Sequence, residues 1–466
     1  MKKRLLIVVI FFIDLTSVLA QSDTWSVKFS DAIITRYQPT INVMTNKGWE
    51  YSNSIVLHGM EKVYTYTRDN NYLLYMQNYI DPYLTNLNAN LSSTLDKIHP
   101  GIVCLFLYQQ TGLTKYKTAA TTLRNYLLAT NNFKKTPDGG YWHKNNGGYN
   151  NIMMLDGIYM AHPFLAKYGV MFNDDSALNT ATRQTLLLAS HTYDSSLHLA
   201  KHAWDYTKSS VWADPATGTS SEVWSRAMGW YMMAIVDILK SLPKSHTDYS
   251  KMRSLLDSLC IGVKNTQDDV TGLWYQVMHK KDSIGNYLES SGSGMLIYAL
   301  KTAVDNEWID TGYLSVCRKG WEGLKTKIST YSDGLPRINS FAPAMSVQNN
   351  YTAYVTTPYT PVNCPAPGTL VTQHPHGYCG LLMAASAMEF PITTYTFIGN
   401  GDWSIASNWE NNIIPPAVLP KCEAIIIDPV EGGECVLNNE QHIAIGAKLT
   451  VKKGKSFRVI GHLVIQ

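Results

Sequence analysis

Apolar residues recur at spacings of three and four from about residue 24 to 390, and this long run of helical patterns restricts the fold more than any other feature. The pattern predicts helices over roughly 24–38, 53–67, 70–84, 98–112, 115–131, 151–168, 176–193, 224–241, 249–265, 287–305, 310–329 and 375–390. The clearest is 224–239, where Trp224, Ala227, Met228, Tyr231, Ile235, Ile238 and Leu239 share one face and Pro243 follows the end. After successive helix pairs come similar turns: Gly139-Gly140-Tyr141-Trp142-His143, Lys201-His202-Ala203-Trp204-Asp205, Gly272-Leu273-Trp274-Tyr275-Gln276 and Asp333-Gly334-Leu335-Pro336-Arg337. Counted from Gly139, His202, Leu273 and Gly334, they are 63, 71 and 61 residues apart. A repeat of that size is a helix hairpin with a decorated loop. Six hairpins in a ring make an all-α (α/α)6 barrel, whose alternate loops converge on one mouth where a pocket forms. An open helical solenoid fits the repeat nearly as well.

The helical period stops near residue 392. The runs 423–428, 448–452 and 456–465 read as short strands, and Gly399-Asn400-Gly401-Asp402 and Pro415-Pro416 are turn signals. At the other end, the basic Met1-Lys2-Lys3-Arg4, an apolar stretch over 5–19 and the small residues Val18 and Ala20 form a signal-peptide pattern, with cleavage expected after Ala20. The expected division is a signal peptide over 1–20, a catalytic barrel over 21–392 and a small β-rich accessory module over 393–466. The stop after Val464-Ile465-Gln466 suggests that the module is cut short. No other segment reaches about 18 apolar residues, so the mature chain is expected to be secreted or periplasmic, without a membrane span.

The net charge is +3 with no long Lys or Arg run, which argues against a nucleic-acid or anionic-membrane partner. Many of the 29 Tyr and 12 Trp lie near Gly, Asp and Asn, as rings that stack on sugars do, although core packing explains most aromatics in any protein. The seven cysteines leave at least one thiol without an intrachain disulfide partner. Cys104, Cys260 and Cys317 fall in helical patterns and read as buried thiols. Cys422 with Cys435, and more weakly Cys364 with Cys379, are candidate disulfides. No pair has a metal-ligand spacing, and neither a metal nor another cofactor is expected.

Several polar residues sit in the connections or at helix starts. Asp96, in Leu95-Asp96-Lys97-Ile98-His99-Pro100-Gly101, reads either as an N-cap or as a site carboxylate. Asp156 lies among apolar neighbours in Met153-Met154-Leu155-Asp156-Gly157-Ile158-Tyr159-Met160, again as a cap or a general acid. In apolar surroundings a carboxyl group resists ionisation unless it is paired, which suits an acid catalyst. His143 and His202 occupy equivalent connections of the repeat, which favours a shared role over two structural histidines. Arg226, between Trp224 and Trp230 at a helix start, could hold an acidic sugar while a ring stacks on it; a surface salt bridge is the plainer alternative. There is no nucleophile elbow, phosphate-binding glycine loop or His-Glu-x-x-His motif.

Taken together, the blocks resemble glycoside hydrolase family 105, the unsaturated rhamnogalacturonyl hydrolases. They are Leu155-Asp156-Gly157-Ile158-Tyr159-Met160-Ala161 with Pro163-Phe164-Leu165, Trp212-Ala213-Asp214-Pro215, Arg226-Ala227-Met228-Gly229-Trp230-Tyr231, Gly272-Leu273-Trp274-Tyr275-Gln276-Val277 and Gly285-Asn286-Tyr287-Leu288-Glu289. The resemblance spans about 30–390, with the blocks in family order; Met154 and the stretch Gly147-Gly148-Tyr149-Asn150-Asn151 depart from it. It implies an (α/α)6 barrel and a metal-free hydrolase that removes a terminal 4,5-unsaturated uronic acid from oligosaccharides made by polysaccharide lyases. By motif, Asp156 matches the catalytic acid and Asp96 the second pocket carboxylate, while His143, His202, Trp224, Arg226 and Trp230 match the substrate-binding set. The implied reaction is hydration of the C4=C5 double bond, not displacement at C1. The implied substrate is of rhamnogalacturonan type, with unsaturated uronyl-rhamnose units of the algal polymer ulvan as the alternative. The rival readings are a hydrolase of saturated sugars using Asp96 and Asp156 as a pair, and a non-catalytic carbohydrate-binding protein. The presence of both acids and both histidines speaks against the last.

Overall fold

The computed structural model describes residues 24–356, 374–390, 394–419, 423–444 and 447–465. The expected signal peptide, Cys364 and Cys422 lie outside them. Among the described residues, twelve helices of 12 to 18 residues follow one another. In chain order the first six are α1 (Trp25–Arg36), α2 (Tyr51–Thr67), α3 (Asn70–Leu84), α4 (Pro100–Thr111), α5 (Thr114–Leu128) and α6 (Leu155–Phe172). The next six are α7 (Asp175–Thr192), α8 (Ser225–Ser241), α9 (Tyr249–Asn265), α10 (Ser290–Asp305), α11 (Tyr313–Lys325) and α12 (His374–Glu389). Each even-numbered helix packs on the next, and α12 packs back on α2, so the inner ring is closed. The odd-numbered helices lie outside it, α3 against α2 and so on round to α1 against α12. Closure selects the (α/α)6 barrel over the open solenoid.

The two layers differ in sequence as the packing requires. In α8 every residue from Ser225 to Leu239 is buried, so the helix is enclosed on all sides. In α7 the buried residues Ala177, Leu178, Ala181, Thr182, Thr185 and Leu188 form one stripe, and the opposite face meets water. Small residues at the start of α10 let the inner helices touch: a Cβ on Gly294 would lie 2.2 Å from the carbonyl oxygen of Gly380 in α12. No helix among the described residues is long and apolar enough to cross a membrane.

The ring is fastened by its two ends. The Glu389 carboxylate at the end of α12 accepts hydrogen bonds from the main-chain N–H groups of Trp25 (2.8 Å) and Ser26 (2.9 Å). These are donors that a helix start leaves unsatisfied, and Thr24 supplies no side-chain cap. Phe390 stacks on Tyr66 with ring centroids 4.3 Å apart.

Short antiparallel ladders brace the connections. Strands β1 (Ile152–Met154) and β2 (Ala203–Asp205) pair, as do β3 (Trp274–Tyr275) and β4 (Leu288–Glu289). These ladders explain why α6 and α10 begin at Leu155 and Ser290, later than the helical pattern suggested, since the preceding residues are extended.

The last described residues build strands β5 (Thr394–Phe397), β6 (Gly401–Asp402), β7 (Val418–Leu419), β8 (Ala424–Ile427), β9 (Glu434–Leu437), β10 (Glu440–Ile443), β11 (Lys448–Val451), β12 (Ser456–Val459) and β13 (His462–Ile465). They pair in parallel as β5–β8–β11, β6–β9–β12 and β7–β10–β13, giving three sheets of three rungs in the manner of a parallel β-helix. The run 456–465, read above as one strand, is two, because the chain turns a corner at Ile460 and Gly461. The coil has its own core around Trp403, Trp409, Ile425, Cys435 and Leu437. Cys104, Cys260, Cys317, Cys379 and Cys435 are buried free thiols.

Because the coil has a separate core, a chain ending at Phe390 is expected to keep its helical circular dichroism and melt within a few degrees of the full chain. A chain ending at Met388 loses the Glu389 anchor and the Phe390 ring. It is expected to be less stable by about 3 kcal/mol or more in denaturant titrations, since each charge-assisted hydrogen bond is worth about 1.5–3 kcal/mol.

Candidate active site

Parallel inner helices bring their N-terminal ends to one mouth of the barrel, which encloses a cavity of about 500 Å³. Five of the six deliver a lining residue there: Tyr51 from α2, Asp96 from the turn before α4, Asp156 from α6, Arg226 from α8 and His376 from α12. Ala344, Met345 and Ser346, in the connection into α12, close one side. Helix N-termini carry partial positive charge and free N–H groups, so a pocket ringed by them favours an anionic ligand.

Asp156 lies in the first turn of α6 but is not its cap; that position belongs to Met154. The β1–β2 ladder sets Met154 opposite Ala203, and the N–H of Leu155 donates to the carbonyl of His202. His202 is thereby held beside Asp156, with Nε2 3.1 Å from Oδ2. On the far side of the imidazole, Nδ1 lies 2.7 Å from the Tyr354 hydroxyl. Asp156 keeps 14% of its side-chain surface exposed. Gly157 is required by its neighbour: a Cβ there would stand 2.8 Å from Nδ1 of His143.

Asp96 is not a helix cap either. It sits in a short turn capped by Thr94, and His99 precedes α4. Its carboxylate meets Lys144 Nζ at 2.7 Å and His143 Nε2 at 3.4 Å. Burial acts to raise the pKa of Asp96, but His143 and Lys144 outweigh it and hold the group below the usual carboxylate range. Burial depresses His143 and would depress Lys144, but Asp96 reverses the shift for the lysine. Glu50, at the start of α2, is pushed upward by burial and then by the charge of Asp96. The mouth thus holds two neighbouring carboxyl groups with opposite tendencies, as adjacent acids sharing a confined space do. Below them, burial pulls His99 down to about 3.

Trp224 caps the start of α8, and its indole N–H donates to Gln276 Oε1 at 2.9 Å. The Arg226 guanidinium lies over its ring, 4.5 Å from the centroid. Arg226 lines the cavity yet is almost wholly buried, and two of its three nitrogens already donate within the protein, while Nε has no partner among the described residues. NH1 donates to Ser291 Oγ (3.2 Å) and to the carbonyl of Ala342 (2.5 Å), and NH2 donates to the carbonyl of Pro343. Glu289 Oε1 is 3.8 Å away, so the ion pair is a buried one and not the surface bridge considered from sequence. Burial lowers the Arg226 pKa, and Glu289 opposes that shift. Trp230 lines the cavity and stacks on Tyr159 at 5.0 Å. The block containing Asp214 is a turn, in which Asp214 accepts the N–H groups of Ala216 and Thr217.

The seven residues singled out from sequence therefore gather around one mouth. Sequence reasoning missed Glu50, Tyr51, Lys144, Tyr354 and His376. The first two precede or begin a helix as Asp156 does, and Lys144 adjoins His143, so position alone could have flagged them. Among the described residues, no group of three or more His, Cys, Asp or Glu is arranged to hold a metal ion.

The family model described as Glycosyl Hydrolase Family 88 matches residues 25–373. Protein Atu3128 of Agrobacterium fabrum is 35% identical over 144 residues, which is 31% of this chain and 60% of that protein. The chain thus spans 60% of the length of that relative. A glycoside hydrolase from family 105 of C. acetobutylicum superposes with a TM-score of 0.69 at 28% identity, covering 79% of this chain and 99% of that one. A possible member of the same family from Salmonella enterica shares the fold with a TM-score of 0.62 at 21% identity, covering 73% and 83%.

Arg226→Ala leaves Glu289 buried without its cation. Unfolding in denaturant is expected to show a loss of about 3–5 kcal/mol, as when one partner of a buried pair is removed. A second outcome concerns pH. His99 has a folded pKa of about 3, below the unfolded value of about 6.5, so between these limits the unfolded chain binds more protons. Its contribution to stability is therefore lost as the pH falls through that window. His99→Gln is expected to lose less stability than the parent between pH 7 and pH 4.5, read from denaturant midpoints at the two values.

Proposed function

The chain belongs to Glycosyl Hydrolase Family 88, and from that premise we propose that it is a glycosidase that removes a 4,5-unsaturated uronic acid from the non-reducing end of lyase-generated oligosaccharides, rhamnogalacturonan fragments first among them. The observation that carries the reading is Asp156. It faces a cavity ringed by helix N-termini, and a histidine contacts its Oδ2. Asp96, by contrast, is tied to Lys144 and held ionised, which suits a fixed charge more than a second acid.

The C4=C5 bond of such a uronide is a vinyl ether. Asp156 gives its proton to C4, and the cation at C5 is stabilised by the ring oxygen. Asp156, now a carboxylate, takes a proton from the water that adds at C5. The product is a hemiketal; its C5–O5 bond breaks to give a ketone at C5, and the hemiacetal left at C1 expels the neighbouring sugar. No displacement at C1 is needed. The substrate carboxylate is drawn by the helix N-termini and by Lys47 and Lys144, which line the same cavity. The aromatic wall of Trp224 and Trp230 gives the sugar ring an apolar surface to rest on. This reading includes export by the leader over 1–20 and a β-coil that serves as an accessory module for attachment to glycan or cell surface.

The test follows the ultraviolet absorbance of the unsaturated bond, with uronyl-rhamnose oligosaccharides from a rhamnogalacturonan lyase and from an ulvan lyase as parallel substrates. Loss of absorbance with release of the neighbouring sugar supports the reading, and the faster substrate names the polymer. Release of a saturated sugar with absorbance retained would overturn it. Asp156→Asn is expected to lower turnover at least ~10²-fold, the low end for a general acid, with the melting curve close to the parent's. Near-normal turnover in that variant would remove Asp156 from the role.

A further inference from the structure

We infer that Tyr354 is a positioning residue that locks His202 in the tautomer bearing its proton on Nε2, so that His202 donates to Asp156 Oδ2 and directs the acid's own proton to the other oxygen. The inference rests on the reading of Asp156 as proton donor. Tyr354 comes from the helical turn Tyr351–Thr356 in the connection into α12, 152 residues from His202 in sequence.

Both side chains are fully buried, so each polar atom needs a partner within the protein. A neutral imidazole has one donor and one acceptor, and its neighbours decide which nitrogen is which. The Tyr354 oxygen stands 2.7 Å from Nδ1, which is the hydrogen-bond partner the structure gives that hydroxyl. A buried phenol proton needs an acceptor, so it points at Nδ1, which becomes the acceptor. Nε2 must then carry the proton, and it faces Asp156 Oδ2 at 3.1 Å. In this arrangement Oδ2 is an acceptor, and the transferable proton of the acid belongs on Oδ1. After transfer to C4, the same Nε2–H bond stabilises the carboxylate left behind. Without the phenol, the imidazole can move its proton to Nδ1. Nε2 then becomes an acceptor that takes the Asp156 proton as a hydrogen bond, away from substrate.

Tyr354 is itself held in place. Its carbonyl accepts from Gln276 Nε2 at 3.2 Å, and the Oε1 of that side chain accepts from Trp224. Tyr351, one turn earlier, donates to the carbonyl of Ile284 at 3.0 Å. The charged groups around the pair are engaged elsewhere. Glu222 meets Lys280 at 2.7 Å and His279 at 3.4 Å, and His143 meets Asp96.

The test uses the full chain with ¹⁵N-labelled histidine, and His202→Gln to assign the His202 signals. In the parent, His202 is expected to show the neutral tautomer protonated on Nε2. In Tyr354→Phe that signature is expected to give way to a mixture or to the Nδ1–H form. On unsaturated oligosaccharide the variant is expected to lose about tenfold in kcat with KM changed less than about twofold, the size of effect one hydrogen bond produces. In an Asp156→Asn background the same change is expected to cost nothing further, because it acts through Asp156. An Nδ1–H signature in the parent, or a folded Tyr354→Phe with parental tautomer and kcat, overturns the inference. Should the parent leave the unsaturated bond intact, the proposed activity falls, and the tautomer measurement still decides the role of Tyr354.

Discussion

Six helices that bury nearly all their side chains are stable only inside a second layer of protein, and the closed inner ring imposes this condition on everything else in the barrel. The outer helices exist to cover it, which is why their apolar residues narrow to a single stripe as in α7. The ring also fixes where polar chemistry gathers. Inner helices that run parallel leave their unsatisfied N–H groups at one mouth, and the residues at those ends have to meet them. Glu289 does so by accepting the N–H of Gly292, and Glu50 by accepting that of Tyr51. The pocket forms where the fold already concentrates polar side chains and helix N-termini.

Charge buried at that depth is tolerated only in pairs. Asp96 with Lys144, Glu50 with Lys97 and Arg226 with Glu289 are such pairs around the mouth. At the opposite ends of the same helices a second network is enclosed, in which Glu61 meets His58 at 2.9 Å and Lys167 at 3.6 Å, and Asp237 accepts from Tyr298 at 2.6 Å. Lysines there lie where helix C-termini carry partial negative charge. The two networks share a vocabulary of residues, so charge and burial by themselves do not separate a site from a structural brace. The cavity beside Asp156 does.

The helices were legible because apolar residues recur in them at spacings of three and four, and the hairpin repeat followed from the matching turns. His143 and His202 were legible because they fall at corresponding places in that repeat, and Asp156 because it is a carboxyl group set among apolar neighbours. Tyr354 was not, since it enters from the irregular connection before α12, where no period marks which residue faces inward, and His376 sits in the first turn of α12 with no motif around it to single it out. Arg226 was found by its position between two tryptophans, but its partners are the carbonyls of Ala342 and Pro343, more than a hundred residues on, and main-chain acceptors leave no trace in side-chain chemistry. The β-coil shows the same limit. Strands could be read from Ile- and Val-rich runs, but their parallel pairing joins residues such as Ala424 and Lys448, a register that hydrophobic runs do not encode.

The clasp between Glu389 and Trp25 spans 364 residues of chain, and this has a consequence for how the molecule is made. As the polypeptide emerges, hairpin after hairpin can dock on its predecessor through local contacts. Until α12 arrives, however, the stack is a crescent with two raw edges, one on α2 and one on α10, and of the helices α1 has only α2 to lean on. Those edges are apolar and of the kind that associates with other chains when left open. A single 16-residue helix acts as the keystone that covers both at once and gives α1 its seat. Closure of the ring therefore depends on α12, and changes in that helix should show first in the yield of folded protein.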